Sequence, residues 1–224
     1  MESLIRQFYE IPGKVITLKK GQYLFSEGDN GKYFYIVRKG LVLITKYASS
    51  GRELALRLVK AGSVIGELPL YEVNRVYLFN AIAQEESELY AIEYAVLEEY
   101  LDKKPHLAVA LLKILSQHMR KQHSKFRDLI LYGKKGAVYS TLIRLANSYG
   151  EETDDGILLS VPLTNQELAN YSAMARESLN RIFNDLKKEG IVDYHQGRIL
   201  IKDIAFLKAE IACEDCSPDI CNIE

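Results

Sequence analysis

The texture of this chain changes once, and the change limits what it can fold into. The first hundred residues alternate short apolar runs with turn-forming stretches. Val15–Leu18, Tyr33–Val37, Leu41–Lys46 and Leu54–Val59 are rich in Val, Ile, Leu and Tyr, and they are parted by Glu27-Gly28-Asp29-Asn30-Gly31, Lys39-Gly40, Ser49-Ser50-Gly51 and Ala61-Gly62-Ser63. Short strands at regular spacing predict a sandwich or barrel. From about Ala91 to Leu131 glycine disappears, and only Pro105 interrupts helix-forming sequence. The fold class expected is therefore α+β, with the β-rich and helical parts segregated along the chain.

At 224 residues, of which 48% are apolar and 26% charged, the chain is that of a soluble globular protein with one large or two modest domains. Its net charge of −1 means that any basic surface must be local. The longest apolar run, Leu107 to Leu115, contains Lys113 and is too short to span a bilayer. The N-terminus lacks the apolar stretch and cleavage site of a signal peptide. A cytoplasmic protein with no membrane partner is expected. No nucleophile–base pairing, phosphate loop or metal-hydrolase motif is present, which argues against an enzyme.

Inside the helical stretch Leu112, Leu115, Met119, Gln122, Phe126 and Leu129 are spaced 3, 4, 3, 4 and 3. That is a heptad seam with one polar d position, and it predicts a dimerising helix. A helix packed on its own domain would show the same stripe, but Arg120, Lys121, Lys125 and Arg127 leave the rest of the helix too charged for burial. Gly133-Lys134-Lys135-Gly136 marks the boundary that follows. Beyond it come a helix (Ala137–Tyr149), a strand (Ile157–Pro162), two short helices (Asn165–Asn170 and about Ala175–Glu189), a hairpin (Ile191–Asp193 with Arg198–Ile201) and a last helix, Ile204–Ile211. Helix–turn–helix followed by a wing is a common layout for reading duplex DNA. Four segments are expected: residues 1–104, 105–133, 134–211 and 212–224.

Thr164 and Glu167 fit a capping box that opens the first of the two short helices. In the second, Leu179, Ile182, Phe183 and Leu186 make an apolar face, which leaves Arg176, Glu177, Asn180 and Arg181 opposite. Arginine can donate a bidentate pair to guanine and glutamate can accept from cytosine N4. An ordinary solvated helical face carries the same residue types. The context of a helix–turn–helix and wing favours DNA, with Thr164 and Gln166 at the start of the first helix as further contacts.

All three cysteines, Cys213, Cys216 and Cys221, fall in the last dozen residues as C-x2-C-x4-C. Closely spaced thiolates can converge on an iron–sulfur cluster or a soft metal ion. Zinc with one oxygen or nitrogen donor, a bare thiol switch and an idle tail are the other readings. Glu214, Asp215 and Asp219 disfavour thiolates, which weakens the thiol switch most. Three thiolates leave the fourth ligand open.

The stretches G-Q-Y-L-F-S-E-G-D at 21–29, Y-F-Y-I-V-R-K-G at 33–40, V-I-G-E-L at 64–68, T-N-Q-E-L-A at 164–169 and R-E-S-L-N-R at 176–181 resemble, in order, the CRP/FNR family of bacterial transcription regulators. The resemblance implies a β-roll sensor domain (a cyclic-nucleotide-binding-like jelly roll), a long dimerisation helix and a C-terminal winged helix–turn–helix. It also implies a homodimer on palindromic double-stranded DNA, with RNA polymerase as a partner. In the family R-E-x-x-x-R reads TGTGA-type half-sites, which makes Arg176, Glu177 and Arg181 the readers here. Ala175 departs from the Ser or Thr that often caps the recognition helix. The nucleotide-binding members carry an Arg-Ser pair and a Thr-Ser pair; here Arg75 precedes Val76 and the helix offers Lys121-Gln122. Gly66-Glu67 then reads as a turn of the roll.

The C-terminal cysteines resemble those of the FNR proteins of Bacillus and its relatives, in which an aspartate of the dimerisation helix completes an oxygen-labile [4Fe-4S] cluster. The resemblance implies one cluster per subunit on Cys213, Cys216, Cys221 and Asp128, coupling oxygen to the control of anaerobic genes. With Leu112, Met119 and Phe126 at a positions, Asp128 falls at c, turned away from the seam. A solvated carboxylate paired with Lys125 or Arg127 is the plainer reading, and His118 and His123 are rival ligands on the same helix. A regulator gated by a small molecule in the β-roll is the alternative for the whole chain, beside a zinc or thiol redox sensor.

Overall fold

The computed structural model describes residues 2–66 and 70–223; Glu67 and Leu68 of the expected roll turn lie outside the described residues. Two compact units form, one from Met1–Tyr47 with Leu56–Gln117, the other from Ala48–Ala55 with His118–Ile223. No helix among the described residues is long and apolar enough to cross a membrane.

The first unit opens with α1 (Glu2–Ile5) and a 3-10 turn, Arg6–Glu10. Eight strands follow: β1 (Lys14–Leu18), β2 (Tyr23–Phe25), β3 (Tyr33–Lys39), β4 (Leu41–Tyr47), β5 (Glu53–Lys60), β6 (Val64–Ile65), β7 (Asn80–Ala83) and β8 (Ser87–Glu93). They make two four-stranded sheets, ordered β1-β8-β3-β6 and β2-β7-β4-β5. The two-residue period explains why β3 is apolar from Tyr33 to Val37. Tyr35 and Val37 enter one core with Phe25, Val42 and Leu89, whereas Phe34 and Ile36 enter a second with Phe8, Ile92 and Leu97. A strand buried on both faces cannot alternate in polarity. β8 continues through Ala91 to Glu93, so the helical region begins about three residues later than its composition suggests, with α2 (Tyr94–Lys103).

Pro105 opens α3 (Pro105–Tyr149), as suits a residue without an N–H to donate. Gly133, at φ 58° and ψ −149°, breaks the helical geometry inside it. Two helices thus meet at this kink, where the glycine-rich stretch predicts the boundary. Three seam residues stand largely free of their own chain, Leu112 at 65% exposed, Met119 at 56% and Phe126 at 63%, whereas Leu115 packs against the core of the first unit.

In the second unit α3 leads to β9 (Gly150–Thr153), β10 (Gly156–Leu159), α4 (Asn165–Tyr171), α5 (Arg176–Lys188), β11 (Val192–His195), β12 (Arg198–Ile201) and α6 (Ile204–Glu210). The wing is part of a four-stranded sheet, β11-β12-β10-β9. β9 escapes a sequence reading because all four of its residues, Gly-Glu-Glu-Thr, are exposed and none is a strong strand former. The apolar face of α5 is buried as its spacing predicts, through Leu179, Ile182, Phe183 and Leu186. Each such side chain contributes about 1.5–3 kcal/mol.

Candidate nucleic-acid interface and cysteine tail

The start of α4 has the capping box that the sequence suggests. Thr164 Oγ1 accepts from the Glu167 N–H (3.2 Å), and the Glu167 carboxylate accepts from the Thr164 N–H (2.7 Å). α5 has no such cap: Ala175 is extended (φ −72°, ψ 146°) and offers its helix no side-chain bond. Arg176, Glu177 and Arg181 are exposed together on α5, and Thr164 and Gln166 are exposed on α4. Asn180 is only half exposed, because Asn165 Nδ2 donates to its Oδ1 (2.8 Å) while Tyr194 Oη donates to Asn165 Oδ1 (2.5 Å). Sequence reasoning missed Asn165 and Tyr194, since no fixed spacing joins two helices and a wing. Asp193, at the root of the wing, binds Lys187 of α5 and Lys202 (3.1 and 3.2 Å). The Tyr194 N–H and those two amines hold its carboxyl down to about 2.

The cysteine tail is docked at its far end. After α6 the chain turns through Ala212, at φ 40°, and the Cys213 N–H donates to Lys208 O (2.9 Å). Further on, Arg144 Nη1 donates to Ile220 O (3.2 Å), Asn147 Nδ2 to Cys221 O (2.7 Å), and the Ile223 N–H to Ser148 Oγ (3.1 Å). Ile220, Cys221 and Ile223 are buried, while Cys213 and Cys216 are half-buried; all three thiols are free. Burial pushes the Cys221 thiol up, Arg144 opposes this, and the charges of Cys213, Cys216 and Asp128 push it further. Arg144 bonds both Ile220 O and the Asp128 carboxylate, which places Asp128 near the Cys221 end of the tail.

Asp128 is buried, its side chain 4% exposed. Oδ1 accepts from Arg127 Nε and Nη2 (3.0 and 2.7 Å), and Oδ2 accepts from Ser140 Oγ (2.6 Å) and Arg144 Nη2 (3.2 Å). The solvated carboxylate weighed from the sequence is thus only half right: Arg127 is a partner, but burial and Arg144 were not foreseen. His123 is exposed and His118 half-buried. Among the described residues no three His, Cys, Asp or Glu side chains gather closely enough to hold a metal ion. The three sulfur donors are soft, the kind that iron–sulfur clusters and soft metal ions take. The cations Arg127 and Arg144 stand by Asp128, and Lys208 feels the charge of Cys213 and Cys221.

In the β-roll Arg75 lines a cavity with Lys32, Glu72 and Glu93, and its guanidinium is engaged by the protein itself. Arg75 Nη2 binds both carboxylate oxygens of Glu98 (2.6 and 2.8 Å), and Phe25 stacks on Tyr77 with centroids 3.7 Å apart. Tyr77 Oη donates to Tyr33 O (2.9 Å) and accepts the Tyr33 N–H (3.1 Å).

Comparison with known proteins agrees with both halves of this geometry. Residues 15–104 match the cyclic nucleotide-binding domain family, and residues 137–210 match the Crp-like helix-turn-helix domain family. The anaerobic regulatory protein of Bacillus subtilis (strain 168) is 42% identical over 220 residues, covering 96% of this chain and 92% of that protein. The CRP-like cAMP-activated global transcriptional regulator of Mycobacterium tuberculosis (strain H37Rv) is 25% identical over 84% of each chain. In fold, the chain resembles the c-di-GMP responsive global regulator CLP of Xanthomonas campestris, at a TM-score of 0.77 and 20% identity, covering 91% of this chain and 100% of that one. With a β-roll, a long helix and a winged helix–turn–helix in this order, and a relative of this identity along nearly its whole length, the chain belongs to the CRP/FNR family of DNA-binding transcription regulators.

Proposed function

We propose that this regulator is oxygen-responsive and controls anaerobic genes, binding TGTGA-type palindromes as a homodimer in the cytoplasm, with RNA polymerase as its partner. One observation carries the reading. The tail that bears the three free thiols is docked against the second half of α3, where Arg144 bonds both the buried Asp128 and the residue before Cys221. Cys213, Cys216, Cys221 and Asp128 would hold one [4Fe-4S] cluster per subunit, and such a group, when bound, supplies reactivity toward oxygen. The chain's own part is mechanical. The tail follows α6 directly and bonds α3, so ligation of its thiols restrains α6 against that helix. A palindrome needs the two recognition helices about 34 Å apart, and loosening the restraint lowers the share of chains in the competent pose. The engagement of Arg75 by Glu98 favours the tail over the roll as the input.

The test is anaerobic purification, with iron, sulfide and absorption measured beside binding to a TGTGA palindrome before and after air. Iron-bearing protein that loses affinity in air is the expected result; colourless, iron-free protein with unchanged binding rejects the reading. The cyclic nucleotide-binding match keeps one other reading in play, a small-molecule gate in the roll. Ligand-induced stabilisation of a triple Cys→Ser variant would favour it.

Arg176 and Arg181 are the proposed base readers, with Glu177 accepting from cytosine. Arg176→Ala and Arg181→Ala should each lose about 1–3 kcal/mol of discrimination at one base pair of the half-site. Competition between operator variants measures this. A uniform loss on every sequence would make them phosphate contacts instead.

A further inference from the structure

Arg144 is the largest fully buried side chain among the described residues. A guanidinium so placed is strongly unfavourable unless its donors are met, and here they are met by three separate stretches of chain. Nη2 donates to Ser124 Oγ (2.8 Å) and Asp128 Oδ2 (3.2 Å) on the first part of α3. Nε donates to Ser140 Oγ (3.1 Å) beyond the Gly133 kink, and Nη1 to Ile220 O (3.2 Å) on the tail. One rigid, planar fork therefore fixes Asp128 and the residue preceding Cys221 relative to each other.

The carboxylate of Asp128 is saturated. A carboxylate has about four lone-pair sites, and four donors occupy them, two per oxygen. To ligate iron, Asp128 must give up a donor, and its two oxygens are not alike. Oδ2 is held by two buried groups, Ser140 and Arg144. Oδ1 is held by Arg127 alone, whose side chain is partly exposed and already reaches Glu214, the residue after Cys213.

We propose that Arg144 is a positioning residue that joins the two halves of the ligand set, clamping Asp128 Oδ2 to the Cys221 segment, while Arg127 is the exchangeable donor that passes to Glu214 and frees Oδ1. This rests on the cluster reading for what Oδ1 is freed to bind. The clamp itself does not, because its bonds join protein atoms alone.

The experiment begins with metal-free protein. Each cysteine's alkylation by iodoacetamide is followed by mass spectrometry in wild type, Arg144→Met, Arg144→Lys, Arg127→Ala and Ser124→Ala. Losing a buried charged hydrogen bond opens the tail locally, so Arg144→Met should raise the Cys221 rate relative to Cys213 by about tenfold or more. Arg144→Lys should fail to restore it, since a point charge cannot span both acceptors. Arg127→Ala and Ser124→Ala should leave the ratio within about twofold. An unchanged ratio in Arg144→Met, or full rescue by lysine, overturns the clamp. Should Arg144→Met not fold, Ser140→Ala must show an intermediate rise, and no rise there also overturns it. After anaerobic reconstitution and one-electron reduction with dithionite, Arg127→Ala should keep the wild-type electron paramagnetic resonance signature, whereas Arg144→Met should change it. A lost or altered signature in Arg127→Ala overturns the exchangeable role of Arg127. Wild-type protein that takes up no iron overturns the cluster reading, and the alkylation ratios still decide the clamp.

Discussion

Asp128→Ala is expected to destabilise the C-terminal unit by about 3–5 kcal/mol, the usual cost of stripping one partner from a buried ion pair. The magnitude follows from what is left behind. Arg144, 1% exposed, would lose its carboxylate with no water to replace it, and Ser140 Oγ would lose its acceptor. Arg127 adds little, because its partly exposed side chain can return to solvent or keep Glu214. Equilibrium urea unfolding of the metal-free protein measures the loss. A value below about 1 kcal/mol would mean that the carboxylate is not closed in. Removing both charges should be milder: Asp128→Leu with Arg144→Met takes away the charge and its orphan together. A cycle of these variants separates the pair's coupling from the cost of an unpaired guanidinium. The same expectation bears on function. Since the cost falls on protein without iron, weakened DNA binding by Asp128→Ala cannot alone make Asp128 a ligand; a changed cluster spectrum in the folded fraction is required.

The parts of this molecule legible in the sequence are those whose cause is local. The capping box at Thr164, the missing cap at Ala175 and the apolar face of α5 depend on residues three or four apart, and each appears where the spacing puts it. The seam of α3 is local in the same sense. Gly133 is local too: a glycine-rich stretch breaks a helix, and at φ 58° and ψ −149° it parts the two helices that share α3.

Arg144 was invisible for another reason. In L-I-R-L-A it is one cation in an otherwise apolar run, and its acceptors stand at 124, 128, 140 and 220. Only Ser140, one turn away, is within reach of a local rule; the kink at Gly133 and the folded tail bring the others. Asp128 was nominated by resemblance and by its c register, which correctly turns it from the seam. What covers that side of the helix, the second half of α3 and the tail, is tertiary. The candidate site was thus readable as a set of donors but not as a hydrogen-bonded network, and the network decides how available the carboxylate is.

Met119→Glu combined with Phe126→Glu is expected to leave the fold intact, abolish the homodimer and weaken binding to a full palindrome by about a hundredfold or more. Both side chains are more than half exposed, so an acid there removes no intramolecular packing. In a parallel two-fold seam the same position of each subunit meets its copy. Four large apolar side chains, each worth about 1.5–3 kcal/mol when buried, would be exchanged for facing carboxylates. The loss on DNA follows from valence rather than from contact. A dimer binds its second half-site at high effective concentration, and a monomer forfeits that gain while keeping its intrinsic half-site affinity. Sedimentation gives the mass, and titration against half-site and full-site duplexes gives the split. Half-site affinity should be unchanged, because Arg176, Glu177 and Arg181 lie on a different element. A variant that stays dimeric would show that the seam is not the interface. A monomer that still prefers the palindrome would show that DNA, rather than the helix, assembles the pair.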